Sequence, residues 1–588
     1  MNTYYHLHID LDTGKTNYTD CTALFHQWLG GTGAATRCFA DYCKTAKKPL
    51  DKGSTFFLAI GPLNLFFPVM TKTVALFHSP LNGHMGESHA GGRLSLAMME
   101  SKNHIISISG KAPQLSYLVI ENQEVRIIKA KSLEGFSANA TERILRNKEK
   151  GIGKRSILRT GPAGERQSPL ACVTVDASRH FGRMGLGAVW GSKNLKAMVI
   201  SGNHPIPVPE HPEYKKTYQE LFQTITRSSA MRKYHNLGTA MNVLPLHHSG
   251  ALPTRNFTQG FFEGAHQISG EAFAKHELSQ QISCAGCPIG CIHLATHQEV
   301  FEPEDHMVKS FKTAYDYELI FALGSNLSIS SRGSILKIIH EMERQGWDII
   351  SMGGTLAWAM DAFQHGVIGK KESLGEVLRF GDGNLILRML KHVAFQSNDF
   401  YADLEKGSAY CSQKYGGEHL AIHFDKIEAP GYLTGIYFML GLATGVRFSH
   451  LDGAGYDIDL QHSPDSSASR KDLLKKLYDE ARWRLIFNSL VGCLFSRKVY
   501  TPEQTEKCLQ IMGMEHFNLS SLDELSHQIH GLKFHCRELL GFNWKKMSLP
   551  AKVKDYPAYS GNIHEDEFND QLKQYQEWIE KDKQSVKF

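Results

Sequence analysis

The sequence predicts an α+β fold in which a β-rich N-terminal domain is followed by two mostly α-helical domains. Up to about residue 202, short β-branched and aromatic runs such as STFFLAI and TVALFHS alternate with Gly, Asn and Pro turns. From residue 214 onward, apolar residues recur at three- and four-residue spacing, as in SILKIIHEMERQG. With 588 residues, 42% of them hydrophobic, the chain has enough apolar material for several domains.

Two changes along the chain predict the domain boundaries. The segment NHPIPVPEHPEY, residues 203–214, contains four prolines and can form neither a helix nor a central strand, so it reads as a linker. A second boundary is expected at the turn Tyr415–Gly417. We therefore predict a β-rich domain at 1–206, a helical domain at 207–415 and a C-terminal helical domain at 416–588.

Charge and hydropathy exclude several classes of partner. The 65 basic and 60 acidic side chains nearly cancel, which argues against a nucleic-acid partner. No window approaches 18 consecutive apolar residues, so no membrane span is expected. The first residues alternate like a strand into a turn at 12–14 and lack the basic and apolar regions of a signal peptide. We expect a cytoplasmic protein.

A group of cysteines carries the clearest chemical signal. Cys284, Cys287 and Cys291 lie within the segment SCAGCPIGC, whose glycines allow the backbone to bend around a metal centre. Thiolates select iron–sulfur clusters or zinc. A [4Fe–4S] cluster commonly takes three local cysteines and a remote one, here Cys493, whereas a zinc site with His293 as fourth ligand and a chance arrangement stay open as alternatives. The other seven cysteines read as free buried thiols.

A glycine-rich block at residues 161–202 is the second signal. Closely spaced glycines beside basic side chains suit backbone approach to a phosphate-bearing ligand. The spacing fits neither a Rossmann nor a Walker loop, and a glycine-rich bend in a β domain is the alternative. The residues concerned are Gly182, Arg183, Gly185, Gly187, Gly191, Lys193 and Lys196.

The chain resembles the aldehyde:ferredoxin oxidoreductase family of tungsten enzymes, collinearly from about residue 5 to residue 553. The resemblance implies a tungsten or molybdenum ion bound by two pyranopterins in the β-rich domain, a [4Fe–4S] cluster nearby, and Mg²⁺ bridging the pterin phosphates. The segments that carry it are SCAGCPIGC, the glycine-rich block, LGTAMNVLPLHHSGALPTRNFTQG, YDYELIFALGSNL, SMGGTLAWAM and the late GCLF.

Site residues follow from the resemblance position by position. It implies that Cys284, Cys287, Cys291 and Cys493 bind the cluster. Glu318 and His450 match the family's acid/base pair beside the metal. The implied cofactor-binding residues are Lys72, His89, Gly91, Arg183, Met184, Gly185, Gly187, Glu343, Trp347, Asp348, Asn488 and Leu494.

Several of these positions depart from the family's pattern. Glu343 and Asn488 stand where the family has an Asp that binds a pterin, and Trp347 stands where Leu is usual. An amide can still both donate to and accept from a pterin edge. The remaining departures are Lys72 for Arg, His89 for Asn, LTGI (433–436) for DPRG, and Lys337 for the Glu of an ExxH metal motif ending at His340, so that a metal-bridged homodimer is not implied.

The function that the resemblance implies is tungsten-dependent oxidation of an aldehyde to a carboxylic acid. The electrons would pass through the cluster to ferredoxin or to an iron–sulfur partner subunit. One alternative is reductive catalysis on an activated acid or thioester within a larger complex. The other is a subunit that binds no metal pterin and acts only as an electron relay.

Overall fold

The computed structural model describes residues 3–46, 48–176, 178–302, 307–462 and 469–586. The strands of its N-terminal part form two six-stranded mixed sheets. They are β1 (Tyr5–Asp10), β2 (Thr16–Asp20), β3 (Phe56–Ala59), β4 (Thr73–His78), β5 (Met85–Ala90), β6 (Ile105–Ser109), β7 (Ser116–Glu121), β8 (Glu124–Lys129), β9 (Lys154–Arg159), β10 (Val173–Val175), β11 (Arg179–Phe181) and β12 (Leu195–Gly202).

The sheets have the strand orders β2-β1-β6-β3-β4-β5 and β11-β10-β9-β12-β7-β8. Strands β3 and β4 are buried on both faces, which explains their continuous apolar runs. The predicted N-terminal strand and turn are confirmed, since β1 pairs antiparallel with β2. Helices of this part are α1 (Thr22–Trp28), α2 (Gly31–Cys43), α3 (Leu94–Glu100), α4 (Ala138–Lys148), α5 (Pro162–Glu165) and α6 (Leu186–Ser192).

The proline-rich segment behaves as predicted, because residues 203–213 contain neither helix nor strand. The following part is mostly helical. Its helices are α7 (Tyr214–Arg227), α8 (Ser229–Leu237), α9 (Val243–His248), α10 (Gly270–His276), α11 (Tyr317–Ile320), α12 (Arg332–Gln345), α13 (Ile349–Gln364), α14 (Gly383–Phe395), α15 (Asp399–Leu404) and α16 (Ser408–Tyr415).

An antiparallel sheet inside this helical part was not predicted. It consists of β13 (Leu278–Ile282), β14 (Ile292–Glu302) and β15 (Met307–Tyr315), in that order. Its strands carry many polar residues, as in HQEVFE and VKSFK, so their apolar periodicity is weak. The sheet matters for function because the cysteine motif lies in the loop between β13 and β14.

The C-terminal part is helical apart from a two-stranded ribbon, β16 (His423–Phe424) and β17 (Ile427–Glu428). Its helices are α17 (Ile436–Thr444), α18 (Gly455–Gln461), α19 (Arg470–Ser489), α20 (Pro502–Ile511), α21 (Leu519–Leu539), α22 (Ala551–Asp555) and α23 (Glu565–Gln584). Among the described residues, no helix is both long and apolar enough to cross a membrane.

One continuous hydrophobic core runs from Tyr4 to Ile579 and so includes all three predicted domains. A buried ion pair also joins the first sheet to the C-terminal helices. Lys533 of α21 contacts Glu87 of β5, and its Nζ donates to Thr32 Oγ1 at 2.7 Å. Both charged side chains are completely buried, so each depends on the other for compensation of its charge.

We expect Lys533→Met to lower the free energy of unfolding by about 3–5 kcal/mol, because it leaves Glu87 buried without its counter-charge. The measurement is urea unfolding followed by circular dichroism. Glu87→Gln combined with Lys533→Met should recover part of the loss, and the exposed Lys545→Met serves as the control. An unchanged unfolding midpoint in Lys533→Met would contradict this role of the pair.

Candidate active site and cluster site

The loop between β13 and β14 holds three of the four predicted cluster cysteines. Gly286 and Gly290 adopt left-handed conformations, with φ of 70° and 66°, which lets the loop turn tightly between Cys284 and Cys291. The loop is attached to the N-terminal part by two backbone hydrogen bonds. Ala285 N donates to Gly92 O at 2.9 Å, and Val69 N donates to Gly286 O at 3.1 Å.

The same N-terminal segment brings the remote cysteine to this loop. Cys493 N donates to Val69 O at 3.0 Å, and Lys72 N donates to Val491 O at 2.9 Å. The segment 65–72 therefore contacts both the cysteine loop and the turn that follows α19. Cys493 lies 202 positions after Cys291, yet the two thiols interact electrostatically.

The four thiols are not gathered as closely as the sulfurs of a tetrahedral zinc site. Burial and the neighbouring thiols raise the pKa of Cys291 to about 12. Tetrahedral zinc with bonds of about 2.3 Å would hold its sulfurs about 3.8 Å apart. Among the described residues, the one group of three His, Cys, Asp or Glu ligand atoms within 4.8 Å of one another is His247, His248 and His266, which contains no cysteine.

A cavity lies beside this site, between the N-terminal sheets and α12 and α13; it and its mouth, which is open to solvent, together occupy about 780 Å³. Seven of the twelve predicted cofactor-binding residues line it. They are Lys72, His89, Gly91, Arg183, Glu343, Trp347 and Asp348. The structure thus brings together residues from three distant stretches of the sequence.

Gly91 and Lys72 lie where this cavity meets the cluster site. A Cβ on Gly91 would stand 2.5 Å from Cys284 Sγ and 3.3 Å from Lys72 Nζ, so only glycine permits this approach. Burial opposes the charge of Lys72, but the thiols of Cys493 and Cys284 raise its pKa. Lys72 therefore supplies positive charge between the cysteines and the cavity.

The end of α12 and the start of α13 form one wall of the cavity. Glu343 Oε2 accepts from Thr313 Oγ1 at 2.7 Å, whereas its Oε1 is buried without a hydrogen-bond partner. Burial raises the pKa of Glu343 to about 7. The indole of Trp347 donates to Glu405 Oε1 at 2.7 Å, which fixes the ring. Glu343 therefore retains a free acceptor for a ligand in the cavity.

Arg183 and Asp348 lie side by side in the wall of the cavity. Arg183 Nε lies 3.4 Å from Asp348 Oδ2, and Arg183 Nη2 donates to Glu428 O at 2.6 Å. Asp348 caps α13 by accepting from Ile350 N at 3.1 Å. Opposite charges are thus fixed beside the ligand space.

His89 is connected to the buried ion pair of the fold. Its Nε2 donates to Glu87 Oε1 at 2.6 Å, and Glu87 in turn contacts Lys533. Burial lowers the pKa of His89 to about 4, so the ring is neutral at pH 7. The cavity wall at His89 is therefore coupled to α21.

Several residues of the glycine-rich block pack closely against other parts of the chain. A Cβ on Gly185 would stand 2.6 Å from Pro169 O, and one on Gly187 would stand 2.5 Å from Cys172 O. Met184 is buried with φ of 72°, and its carbonyl accepts from Ser79 Oγ at 2.8 Å. These three residues pack against protein, whereas Gly182 lines the cavity with open space at its Cβ position.

Asn488 lies at a second, smaller cavity near the end of α19, together with Arg484. Asn488 Oδ1, Arg484 Nη2 and Arg447 Nη2 are all buried without a hydrogen-bond partner. Buried polar atoms without partners are costly, so these atoms suit a polar or anionic ligand. Leu494 lines neither cavity and begins a short 3₁₀ turn after Cys493.

Glu318 and His450 meet although 132 positions separate them. His450 Nδ1 lies 3.4 Å from Glu318 Oε1, and both atoms are buried without a hydrogen-bond partner. Glu318 belongs to α11, directly before a π-helical turn, and its Oε2 accepts from Gly431 N at 3.2 Å. Tyr432 lies against the pair, with its ring centroid 5.0 Å from that of His450.

Burial gives this pair unusual proton affinities. It raises the pKa of Glu318 to about 8, with Asp316 adding to the shift. It lowers the pKa of His450 to about 3, and the nearby arginines Arg484 and Arg183 act in the same direction. At pH 7 the carboxyl group is mostly protonated and the imidazole is neutral.

Some residues of the site were missed by sequence reasoning. Arg179 and His180 line the larger cavity and lie inside the glycine-rich block, in the string SRHFGRMG, where their proximity to Arg183 was a usable signal. Arg447 lies three positions before His450. Asp316 and Cys172 also line the larger cavity; Asp316 lies two positions before Glu318 in YDYELIFALGSNL, and Cys172 lies within the glycine-rich block.

The residues present fit the groups that the sequence resemblance implies. Four cysteines lie in one region of the fold. Buried polar atoms without hydrogen-bond partners belong to residues that line the two cavities, Glu343 at the larger one and Asn488 and Arg484 at the smaller one. A pterin offers ring nitrogens to such acceptors and a phosphate to such guanidinium groups. The site of His340 differs, because Lys337 Nζ forms an ion pair with Glu299 Oε1 at 2.7 Å within the chain.

Comparison with known proteins agrees with the family that the sequence resembles. Family models described as aldehyde ferredoxin oxidoreductase match residues 6–202 (N-terminal domain) and 216–584 (domains 2 and 3). The tungsten-containing aldehyde ferredoxin oxidoreductases of Pyrococcus furiosus and Thermococcus kodakarensis are each 30% identical over 434 residues, which cover 72% of this chain and 69% of the relative.

Two further comparisons concern other reactions. The aliphatic sulfonate oxidoreductase WOR-like subunit of Pyrococcus furiosus is 27% identical over 515 residues, covering 84% of this chain and 79% of the relative. The solved active-site complex BamBC of benzoyl coenzyme A reductase with 1,5-dienoyl-CoA superposes with a TM-score of 0.83 over 98% of this chain and 95% of that chain, at 18% identity. The latter similarity shows a shared fold.

Replacing Cys287 by Ser should remove most of the cluster iron from anaerobically purified protein, because a thiolate ligand is lost. The measurements are iron content and electron paramagnetic resonance of the reduced protein. Cys508→Ser, a buried cysteine of α20, is the matched control and should retain its iron. About four irons and an unchanged signal in Cys287→Ser would remove this residue from the ligand set.

Proposed function

The chain belongs to the aldehyde ferredoxin oxidoreductase family, and we propose that it oxidises an aldehyde to a carboxylic acid and passes the electrons to ferredoxin or an iron–sulfur partner subunit. The single observation that carries the proposal is the pairing of Glu318 and His450 at 3.4 Å beside cavities that have free polar groups. A cytoplasmic location belongs to the same proposal.

Each group has its own set of proposed ligands. Cys284, Cys287, Cys291 and Cys493 would hold the [4Fe–4S] cluster. Residues of the larger cavity, among them Arg183 and Glu343, and Asn488 at the smaller cavity would hold a tungsten or molybdenum bis-pterin together with its Mg²⁺. When bound, these groups supply two-electron redox chemistry and single-electron transfer.

The chain's own residues would manage the substrate's proton and orientation. An ionised Glu318 takes a proton as water adds to the aldehyde carbon. His450, neutral because burial lowers its pKa to about 3, donates an N–H to the carbonyl oxygen or orients it. Tyr432 and Tyr456, whose rings stack at 5.2 Å, shield this space from bulk water.

Reduction of an activated acid or thioester within a larger complex is the second candidate. The raised pKa of Glu318 favours it, since a carboxyl group that is protonated at pH 7 is prepared to donate a proton. The WOR-like subunit and the BamBC structure among the similar proteins also fit this reading. An electron-relay subunit would differ from both in containing iron without tungsten or molybdenum.

Glu318→Gln should reduce the rate of aldehyde oxidation by at least about a hundredfold, since a positioned proton-transfer group contributes about 10²–10⁴-fold. His450→Ala should lose comparably, and the double variant should lose much less than the product of the two. Steady-state rates are compared at equal tungsten and iron content, with the exposed Glu418→Gln as control. A near-normal rate in fully loaded Glu318→Gln would exclude Glu318 as the base.

The pH dependence separates the two candidates. If Glu318 is the base of aldehyde oxidation, kcat/KM should rise with pH and level off above about 8, where the carboxylate is ionised. If the protonated group serves a reduction, that rate should be constant below about 8 and fall above it. Rates of both directions are measured across pH 6–10 with product analysis. A flat profile in both directions would contradict any role for Glu318 in proton transfer.

A further inference from the structure

We propose that a basic surface beside the cysteine loop is the docking site of a small acidic iron–sulfur electron carrier. The surface consists of the exposed side chains of Arg227, Arg232 and Lys233 at the end of α7 and on α8. The inference rests on the proposed electron transfer. It specifies on which side of the molecule the partner binds and which charge the partner carries.

Helix α8 is fixed directly to the cysteine loop. His235 Nδ1 donates to Ile289 O at 2.8 Å, and His293 Nε2 donates to His235 O at 2.8 Å. A surface cleft of about 500 Å³ lies between them, lined by Arg232 and His235 on one side and by Pro288 and Ile289 on the other. Arg232 is therefore held next to the residues that follow Cys287, and Lys233 and Arg227 are its neighbours on α8 and at the end of α7.

The cysteine loop itself reaches the surface here. Ser283 and Gly286 are exposed, and Cys287 is half-buried. Electron transfer requires the donor and acceptor centres to approach closely, so a carrier has to dock where a ligand-bearing loop is accessible. The cleft beside Pro288 offers that access.

The charge of this surface selects an acidic partner. The stretch 214–237 contains five Lys or Arg residues and one acid, Glu220. The Oε2 atom of Glu220 lies 3.8 Å from Lys507 Nζ. Within the part of the chain that the structure describes, Arg227, Arg232 and Lys233 form no ion pair. Unpaired surface charges of one sign attract an oppositely charged protein over about a Debye length and accelerate its encounter.

The small apolar content indicates a transient complex. Phe222, 39% exposed, is the large apolar side chain that α7 presents to solvent near these residues. Permanent subunit interfaces are more apolar than this, whereas redox encounters bury little area and depend on charge. A diffusing carrier therefore fits the surface better than a permanently bound subunit.

The test measures binding, so it needs no turnover. The protein, purified anaerobically with its cluster, is titrated by calorimetry with an acidic two-cluster bacterial ferredoxin at several salt concentrations. We expect the combined variant Arg227→Glu, Arg232→Glu, Lys233→Glu to weaken binding at least about tenfold at low salt and to flatten its salt dependence. Carbodiimide cross-linking should join Lys233 of the unmodified chain to ferredoxin carboxylates.

A matched variant, Lys370→Glu, Lys371→Glu, Lys391→Glu, reverses three exposed lysines on elements that do not contact the cysteine loop, and it should bind normally. Iron content and thermal unfolding check each variant, and Arg232→Gln alone serves if the triple variant misfolds. Unchanged binding in the triple variant, equal loss in the matched variant, or tight salt-independent binding would overturn the proposal. An absence of aldehyde turnover would leave this binding intact, so the two failures are distinguishable.

Discussion

The segment 65–72 is the constraint on which the rest of the site depends. It donates backbone hydrogen bonds to the turn at Val491 and to Gly286 of the cysteine loop, and its Val69 carbonyl accepts from Cys493. Cysteines from the β13–β14 loop and from the turn after α19 thus both lie against a backbone segment of the β-rich part. Because backbone groups make these contacts, they depend on the position of the segment more than on its side chains.

Buried charged side chains in this region are compensated by partners that are distant in sequence and close in space. Lys72 lies among the thiols, Arg183 faces Asp348, and Lys533 compensates Glu87 next to His89. Each pair joins elements that are far apart in sequence, so binding a charged cofactor would act on the whole interface between the sheets and the helices. Glu343 and Asn488, which replace an Asp of the family, each keep a buried acceptor oxygen without a hydrogen-bond partner.

Proton and electron functions lie on different elements. The Glu318–His450 pair is enclosed by aromatic rings and desolvated, which moves its proton affinities far from those in water. The cysteine loop, in contrast, is partly exposed beside α8. This separation would let the reaction occur in a dry site while electrons leave at a wet surface.

The sequence by itself determined those features of the protein that depend on short stretches of neighbouring residues. Three features could be predicted from the sequence: the order of β-rich and helical parts, the proline-rich linker and the CxxCxxxC motif. They could be predicted because periodicity, proline and ligand spacing act over a few residues. The resemblance to a family added Glu318, His450 and Asn488. Only the tertiary structure placed Glu318 and His450 3.4 Å apart, added Arg179 and His180 to the cavity wall and formed the sheet that carries the cysteine loop. These features depend on packing between segments hundreds of residues apart, and local sequence carries no record of which distant surface a side chain will face.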